Sequence, residues 1–413
     1  MKVGIWLENI PETLGGGYSL TERFIRLIDK YDFHKDIKIV YISERTNHLN
    51  VFSKELIKIK YPKLIYFIYL VLSKLIDLII FSSIKSELRR NIRRKTLDIY
   101  LTKLLEVQKV DLIYYPLQTF CRLPDFPFIA SNWDIGHRSC FAFPEFHTKD
   151  MTETRNLFYD HIIYKALAVI VESEAGKAEL VKYSNIQTQK IRVVHLFSGQ
   201  SIICKQNLGV LPKYNLKTSK YFFYPAQFWP HKNHYNLIYS FKSIVDKFPE
   251  LRFVFTGFDM GNETYLKKIV KNLNINDKIL FLGHVNMEDI AALYANATAL
   301  VMPTFLGPTN MPLLEARELG CPVLCSDIPG HREELGEGAL YFNPYDIESI
   351  KICMEKILNP QVRCFLLTKA EEEKRKTLFT ESTALKEFEN VLFDIEKYRK
   401  CWDKNSDLII YKK

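Results

Sequence analysis

Short apolar runs alternate with amphipathic segments along most of the chain. An apolar run at 3–7 is followed by residues 22–30, in which apolar side chains recur at helical spacing. Comparable strand-like runs follow at 37–42, 111–115, 128–131, 168–172 and 191–194. A second series occupies 221–225, 252–256, 279–282, 299–302, 322–326 and 339–342. Strands that alternate with helices predict two parallel sheets, each covered by helices on both faces.

The chain also divides into segments by length and composition. Its 413 residues exceed the roughly 250 to 300 that one hydrophobic core supports, so two cores are expected. Between the two series of strands, residues 196–220 contain Gly199, Gly209 and Pro212 and no clear periodicity, which is typical of a linker. We predict a first domain over 1–200, a linker over 201–220, a second domain over 221–370 and a carboxyl-terminal segment over 371–413.

Composition favours a folded cytoplasmic protein. Hydrophobic residues make up 47% of the chain and charged residues 25%, far from the composition of disordered proteins. The 8 cysteines are scattered and form no CxxC pair, so we interpret them as reduced thiols. Residues 1–7 resemble a first strand rather than a signal peptide.

One apolar segment followed by basic residues stands out. The run 64–81 is long enough to cross a bilayer, but Lys74 and Asp77 interrupt it and argue against a spanning helix. Most of the organised positive charge follows at 85–95, in a chain of net charge +9. Two interpretations stay open: residues 64–95 lie on an anionic membrane surface on its inner face, or the run is a buried core helix followed by a solvated one. Because the cluster lacks interleaved aromatic residues and a reading motif, we expect no nucleic-acid partner.

The segment 302–344 carries the clearest chemistry. Its order is strand, Gly/Pro/Asn loop, helix, strand and loop. Thr309 or Asn310 is placed to cap the helix and Pro312 suits its first turn, so the free backbone N–H groups there can bind a phosphate. One turn later, Glu315 can accept two hydroxyl hydrogen bonds, as recognition of a ribose diol requires. The alternative is that Glu315 only places a favourable charge near the helix start.

The run GPTNMPLLEA at 307–316, followed by GCPV at 320–323 and SDIP at 326–329, resembles the donor-binding signature of retaining glycosyltransferase family 4. That resemblance implies an α/β protein of GT-B fold, with two doubly wound Rossmann-like domains that face a central cleft. In the family, two glutamates separated by seven residues flank this loop. Glu315 matches the second glutamate, which binds the ribose, whereas Gly307 stands at the position of the first.

The resemblance therefore points to a branch that carries a Gly-Pro-Thr-Asn loop in place of the first glutamate. In such a branch the side chains of Thr309 and Asn310, together with Met311 and the backbone amides, contact the donor. Upstream, Lys232 matches the family's phosphate-binding lysine, and Gln227 stands where an arginine is usual. A lysine there stabilises negative charge on the leaving nucleotide diphosphate, although a lone loop lysine is more often simply solvated.

Further positions match the family's donor pocket. Gly257 and His284 match turns that line the base and ribose pocket. In the first domain, the glycine loop that contains Gly16 and Gly17 corresponds to a loop held against the donor diphosphate, a weak motif by itself. Asp134 matches the aspartate of a His-Asp pair near the reacting sugar. His137 either serves that wall of the site or is a structural histidine.

The expected catalytic residues are thus Lys232, Glu315, Asp134 and His137. We expect no metal and no other cofactor, because the chain contains no Asp-x-Asp motif and its paired histidines, His231 among them, lack acidic or cysteine neighbours in sequence. The charge of Lys232 and the helix termini would take the metal's place.

The resemblance implies retaining, metal-independent transfer of a hexose-type sugar from a nucleotide diphosphate sugar. The acceptor would be a glycan or lipid-linked oligosaccharide in cell-surface polysaccharide synthesis. The first domain would hold the acceptor, the second the nucleotide sugar, and a helix over 371–399 would cross back to the first domain. Two alternatives stay open: a catalytically silent nucleotide-sugar-binding subunit, or a nucleotide-sugar epimerase of the same fold.

Overall fold

The computed structural model describes residues 1–8, 16–44, 52–79, 88, 92–118, 121–140, 142–147 and 149–401. Within these residues the strands form two entirely parallel sheets, one of seven strands and one of six. Helices separate the strands along the chain, so each sheet is doubly wound as the periodicity predicts.

The first sheet has the strand order β3-β2-β1-β4-β5-β6-β7. Its strands are β1 (Lys2–Trp6), β2 (Lys38–Ser43), β3 (Leu56–Lys58), β4 (Leu112–Tyr115), β5 (Phe128–Ser131), β6 (Ala168–Val171) and β7 (Ile191–Val193). The helices of this half are α1 (Gly16–Lys30), α2 (Lys63–Ile79), α3 (Ile99–Val107), α4 (Gly136–Ser139), α5 (Lys149–Leu157) and α6 (Glu174–Tyr183). The central strands β4, β5 and β6 are buried along their whole length, which explains their unbroken apolar sequences.

The second sheet has the strand order β10-β9-β8-β11-β12-β13. Its strands are β8 (Tyr221–Pro225), β9 (Arg252–Thr256), β10 (Ile279–Phe281), β11 (Ala299–Met302), β12 (Val323–Ser326) and β13 (Ala339–Phe342). The accompanying helices are α7 (Val210–Lys213), α8 (His234–Val245), α9 (Glu263–Asn272), α10 (Met287–Asn296), α11 (Met311–Glu318), α12 (Pro329–Leu335) and α13 (Ile347–Ile357). The strand order reverses between β8 and β11, and ligands of open parallel sheets bind at such a point, beyond the carboxyl ends of the strands.

The predicted strands agree with the observed ones to within one or two residues, but one strand was missed and the start of α1 was misplaced. β3 was not predicted, because three residues that include a lysine carry no usable periodicity. α1 begins at Gly16 and not at Glu22, so Gly16 and Gly17 lie in the first turn of a helix rather than in a loop. Gly15 lies outside the described residues.

The predicted carboxyl-terminal helix over 371–399 is in fact two helices, α14 (Pro360–Lys376) and α15 (Glu381–Arg399). The break occurs because the Thr380 side chain caps α15 by accepting a hydrogen bond from the backbone N–H of Thr383, 3.1 Å away. α15 packs on the first domain, where the Phe388 ring lies 5.5 Å from that of Phe24 and 4.8 Å from that of Tyr114.

α2 lies largely on the surface. Among its described side chains, a stripe that includes Tyr69 and the buried Ile76 faces the domain. Leu64, Phe67 and Leu75 are 70%, 63% and 45% exposed, so the interpretation of this run as a buried core helix is wrong. In the described part of the chain, no helix is long and apolar enough to cross a membrane. Three of the six basic residues in the cluster that follows, Lys85, Arg89 and Arg90, lie outside the described residues.

Candidate active site

The carboxyl ends of the two sheets meet, and several contacts join them directly. Glu145 of the first domain accepts hydrogen bonds from the backbone N–H of His231, 3.1 Å away, and from its ring Nδ1, 2.6 Å away. In the opposite direction, the Glu333 carboxylate accepts from the backbone N–H groups of Glu174 and Ala175, each 2.8 Å away, at the start of α6. The residues that line the cleft between the domains therefore come from both halves of the chain.

Lys232 lies in this cleft at the end of a single 3-10 turn, Pro230–Lys232, that follows β8. Pro230 begins the turn, and Asn233 ends it in the left-handed conformation with φ 60°. The ammonium group donates a hydrogen bond to the side-chain oxygen of Asn310, 3.3 Å away. Burial lowers the pKa of Lys232 to about 8, although the Asp134 carboxylate opposes the shift. At neutral pH the site thus presents a weakly solvated positive charge.

The side chain of Asn310 is held in one orientation by His331, which is completely buried. The Nδ1 atom of His331 lies 2.8 Å from the Ser326 carbonyl oxygen, and a carbonyl can only accept, so Nδ1 carries the proton. Nε2 therefore accepts from the Asn310 amide nitrogen, 2.9 Å away, which turns the amide oxygen toward Lys232. Burial lowers the pKa of His331 to about 4, so the ring stays neutral at physiological pH.

The Gly307–Asn310 loop is shaped around the same side chain. Gly307 has φ 133°, and a Cβ atom at that position would collide with the Asn310 amide. The backbone N–H of Asn310 donates to the buried carboxylate of Glu334, 2.6 Å away. Asn310 occupies the N-cap position of α11, but its side chain makes no capping hydrogen bond, which corrects the predicted role. Its side chain binds Lys232 and His331 instead.

Glu315 lies one turn into α11, under the segment that crosses from the first domain. Its carboxylate accepts a hydrogen bond from the Tyr294 hydroxyl, 3.1 Å away. A Cβ atom added at Gly199 of the crossing segment would lie 3.1 Å from the carboxyl carbon of Glu315 and 3.0 Å from the sulfur of Met311. Burial raises the pKa of Glu315 above its ordinary value. Glycine at position 199 thus allows the crossing segment to approach both predicted donor-binding side chains.

Asp134 and His137 follow β5 on the first-domain wall. The Asp134 carboxylate accepts from the Arg155 guanidinium at 2.5 Å and from the Gly136 amide at 2.8 Å. Burial alone would raise the pKa of Asp134, but Arg155 and the Gly136 amide hold it below its ordinary value. Asp134 thus stays ionised and acts electrostatically on Lys232 across the cleft. The ring of His137 packs 5.2 Å from that of Tyr159, and burial lowers its pKa to about 4.

A third group of predicted residues meets at the ends of β8, β9 and β10. Gly257 has φ 149°, and a Cβ atom there would lie 2.9 Å from the backbone nitrogen of Gln227. Its own N–H donates to the Gly283 carbonyl, 2.8 Å away, and the neighbouring His284 ring stacks 4.6 Å from that of Phe258. The structure therefore places Gln227, Gly257 and His284 together, at the carboxyl ends of these strands.

Sequence reasoning missed several residues that build this cleft. They are Glu145, Arg155, Glu172, His331 and Glu334. Glu172 and His331 follow strands directly or within a few residues, where polar side chains of parallel sheets converge, and this signal could have identified them. Glu145 and Arg155 lie in irregular or short helical segments, and only the tertiary structure shows their partners.

The pKa of Lys232 predicts how ligand binding depends on pH. A diphosphate that contacts this group would bind its charged form, so its affinity should fall as the pH rises through about 8, where Lys232 loses its proton. In Lys232→Arg the group keeps its charge to beyond pH ~12, so the affinity should stay level from pH 7 to pH 9.5. Isothermal titration with a nucleoside diphosphate across this range tests the prediction. Equal slopes in the two proteins would contradict it.

Two Rossmann-like domains joined across a polar cleft define the GT-B class of architecture. In agreement with this, residues 211–377 match the model of the family described as glycosyl transferases group 1. Among solved structures, Anabaena Alr3699/HepE in complex with UDP and glucose superposes with a TM-score of 0.63 at 16% identity, over 97% of this chain and 100% of that one. The predicted GT-B fold is confirmed.

Two curated bacterial proteins are similar in sequence. The chain is 27% identical over 242 residues to the O-antigen chain mannosyltransferase B of Escherichia coli. This match covers 55% of this chain and 63% of that protein. It is 30% identical over 189 residues to the O-antigen chain mannosyltransferase RfbU of Salmonella typhimurium. This second match covers 46% of this chain and 50% of that protein. The matches thus span less than two thirds of either relative. Together, the family match and these relatives support a glycosyltransferase of the GT-B class.

Proposed function

We propose that the protein is a retaining glycosyltransferase of family 4 that transfers a hexose, with mannose as the first candidate, from a nucleotide diphosphate sugar. The acceptor is a glycan or lipid-linked oligosaccharide of a cell-surface polysaccharide. The observation that carries this proposal is the hydrogen-bonded series His331, Asn310 and Lys232, which holds one ammonium group in the cleft. Mannose is suggested by the names of the two bacterial relatives.

In the proposed reaction, the acceptor hydroxyl oxygen bonds to the anomeric carbon on the face from which the diphosphate leaves. The bond between that carbon and the diphosphate oxygen breaks, and the departing phosphate takes the acceptor's proton. Lys232 stabilises the charge that grows on the phosphate, and Glu315 accepts hydrogen bonds from the ribose. We propose that neither a metal nor another cofactor is required, because the ammonium and the amides at the start of α11 supply the positive potential.

Thermal unfolding with a panel of ligands tests the donor site. The panel contains GDP, UDP and ADP and their mannose and glucose derivatives. A ligand at about 100 times its dissociation constant should add ~2.7 kcal/mol to the free energy of unfolding. Glu315→Gln should reduce the stabilisation, because an amide offers one acceptor oxygen where the ribose diol needs two. Glu318→Gln, on the same helix, is the control and should retain it.

The outcomes also separate the alternatives. If no panel member stabilises the well-folded protein, the transferase proposal is wrong. Stabilisation without transfer to any acceptor, or conversion of the sugar without an acceptor, would favour the silent subunit or the epimerase respectively.

We further propose that the protein works in the cytoplasm and attaches to the anionic inner face of a membrane through residues 64–95. The exposed apolar side chains of α2 and the exposed Lys63 and Lys74 support this proposal. Co-flotation with vesicles should occur with phosphatidylglycerol and fall with added salt. Phe67→Gln should weaken it, whereas Phe365→Gln, equally exposed on α14 at 63%, should not. Equal effects of the two substitutions would refute the proposed surface.

A further inference from the structure

Glu172 is a buried carboxylic acid that none of the roles above uses. It directly follows β6, at the carboxyl end of the first sheet, and only 1% of its surface is exposed. Among the described residues, neither of its carboxyl oxygens has a hydrogen-bond partner. Burying such a group without a partner costs stability, so a partner supplied by a ligand would account for it.

The surroundings of Glu172 place it at the donor loop of the second domain. The hydroxyl of the next residue, Ser173, donates a hydrogen bond to the Pro308 carbonyl oxygen, 3.4 Å away. The Thr309 hydroxyl lies close enough to favour the ionised carboxyl, although no hydrogen bond of good geometry joins them. Thr309 precedes Asn310, the residue that holds the Lys232 ammonium. The carboxyl therefore lies beside the place where a diphosphate bound to Lys232 would carry its sugar.

The first domain surrounds this carboxyl closely. A Cβ atom at Gly176, in the first turn of α6, would lie 3.5 Å from the Oε1 atom of Glu172, which is an ordinary van der Waals distance, so α6 packs directly against the acid. Burial raises the pKa of Glu172 well above its ordinary range, and the like charges of Asp134 and Glu179 add to the shift. Hydrogen-bond donors without a charge, such as sugar hydroxyls, suit an acid in this position.

We propose that Glu172 accepts hydrogen bonds from hydroxyl groups of the donor's hexose and so contributes to the choice of sugar. The inference rests on the proposed function and assigns one part of it. Glu172 touches the sugar and not the nucleotide, so the nucleotide diphosphate without its sugar binds independently of this side chain. A carboxyl that accepts from two hydroxyls also discriminates between hexoses that differ in the orientation of one of them.

Calorimetric titration of GDP and GDP-mannose, with UDP and UDP-glucose as a second pair, tests the inference. Glu172→Gln should bind the nucleoside diphosphate within about twofold of the wild-type affinity and the matching nucleotide sugar at least tenfold more weakly. Its melting temperature should stay close to that of the wild type, because the amide has the same shape as the carboxyl and equally lacks a partner among the described residues. Glu153→Gln, an exposed change on α5, should leave all these quantities unaltered.

A second variant keeps the test informative if the glutamine protein folds poorly. Glu172→Asp retains the carboxyl but withdraws it by one methylene. It should weaken the binding of the nucleotide sugar and leave the binding of the nucleoside diphosphate unchanged. The inference would be overturned if the affinity for the nucleotide sugar did not change. It would also be overturned if the affinities for the nucleotide and the nucleotide sugar fell equally and the melting temperature fell with them, since either result indicates a structural role. If the wild-type protein binds neither pair, the proposed function itself fails and the inference fails with it.

Discussion

Lys232→Met should lower the turnover number by about 100-fold or more and change the Michaelis constant for the donor much less. In the proposed reaction the ammonium, held by Asn310, stabilises the departing diphosphate, and removing one preorganised hydrogen-bond donor costs other enzymes roughly 10²- to 10³-fold in rate. Transfer of radiolabelled sugar to an acceptor extract, measured under saturating donor, gives the turnover number directly.

The matched control for this result is Lys242→Met, on the surface of α8. Lys242 pairs with Asp246 at 2.7 Å, an exposed contact of little energetic value, so activity should remain at the wild-type level. Asn310→Ala should also lower the turnover number, but less than Lys232→Met does. The ammonium group remains in this variant, but the side chain that positions it is lost. Equal turnover in the wild type and Lys232→Met would show that the diphosphate is stabilised elsewhere.

Gly307→Ala should reduce both stability and activity, and Gly307→Glu should reduce them further. At φ 133° any side chain strains the backbone by about 1–3 kcal/mol, and a Cβ atom would also displace the Asn310 amide from between His331 and Lys232. By resemblance alone, a glutamate at 307 would complete the paired-glutamate motif and improve the enzyme. The structure predicts the opposite, since the loop is packed for glycine.

The variant Gly261→Ala separates the effect of backbone strain from the effect of a collision with a neighbouring side chain. Gly261 has φ 94°, but a Cβ atom there would have nothing within 4 Å. Denaturant unfolding should therefore show a lower free energy of unfolding for both alanine variants, whereas donor affinity and turnover should fall only for Gly307→Ala. If the two variants lose activity equally, the displacement of Asn310 is not the cause.

Two contacts join the domains beside the turn that carries Lys232. The Glu145 carboxylate holds His231 next to Lys232, and the Glu333 carboxylate binds the first turn of α6. Burial raises the pKa of Glu145, but the hydrogen bonds from His231 outweigh burial and hold this pKa below its ordinary value. The contacts therefore connect the Lys232 turn to the domain interface.

Most of the fold could be predicted because its signals are local. A strand buried on both faces is an apolar run whatever its partners are, so β5, β8 and β11 were found at their observed bounds. The same holds for Pro312, which lies in the first turn of α11. β3 and the break before α15 were missed because a short edge strand and a single capping threonine leave little periodicity to read.

The sequence by itself determined the two sheets, their order along the chain and the segments that reach the cleft. It did not determine the chemistry inside the cleft. The hydrogen bond from Lys232 to Asn310 joins residues 78 positions apart, and that from His231 to Glu145 joins residues 86 positions apart. Such pairs form only when strands from different parts of the chain end at the same edge. The same packing buries Glu172 without a partner among the described residues and lowers the pKa of Lys232. Desolvation depends on what surrounds a side chain in space and not on its neighbours in sequence.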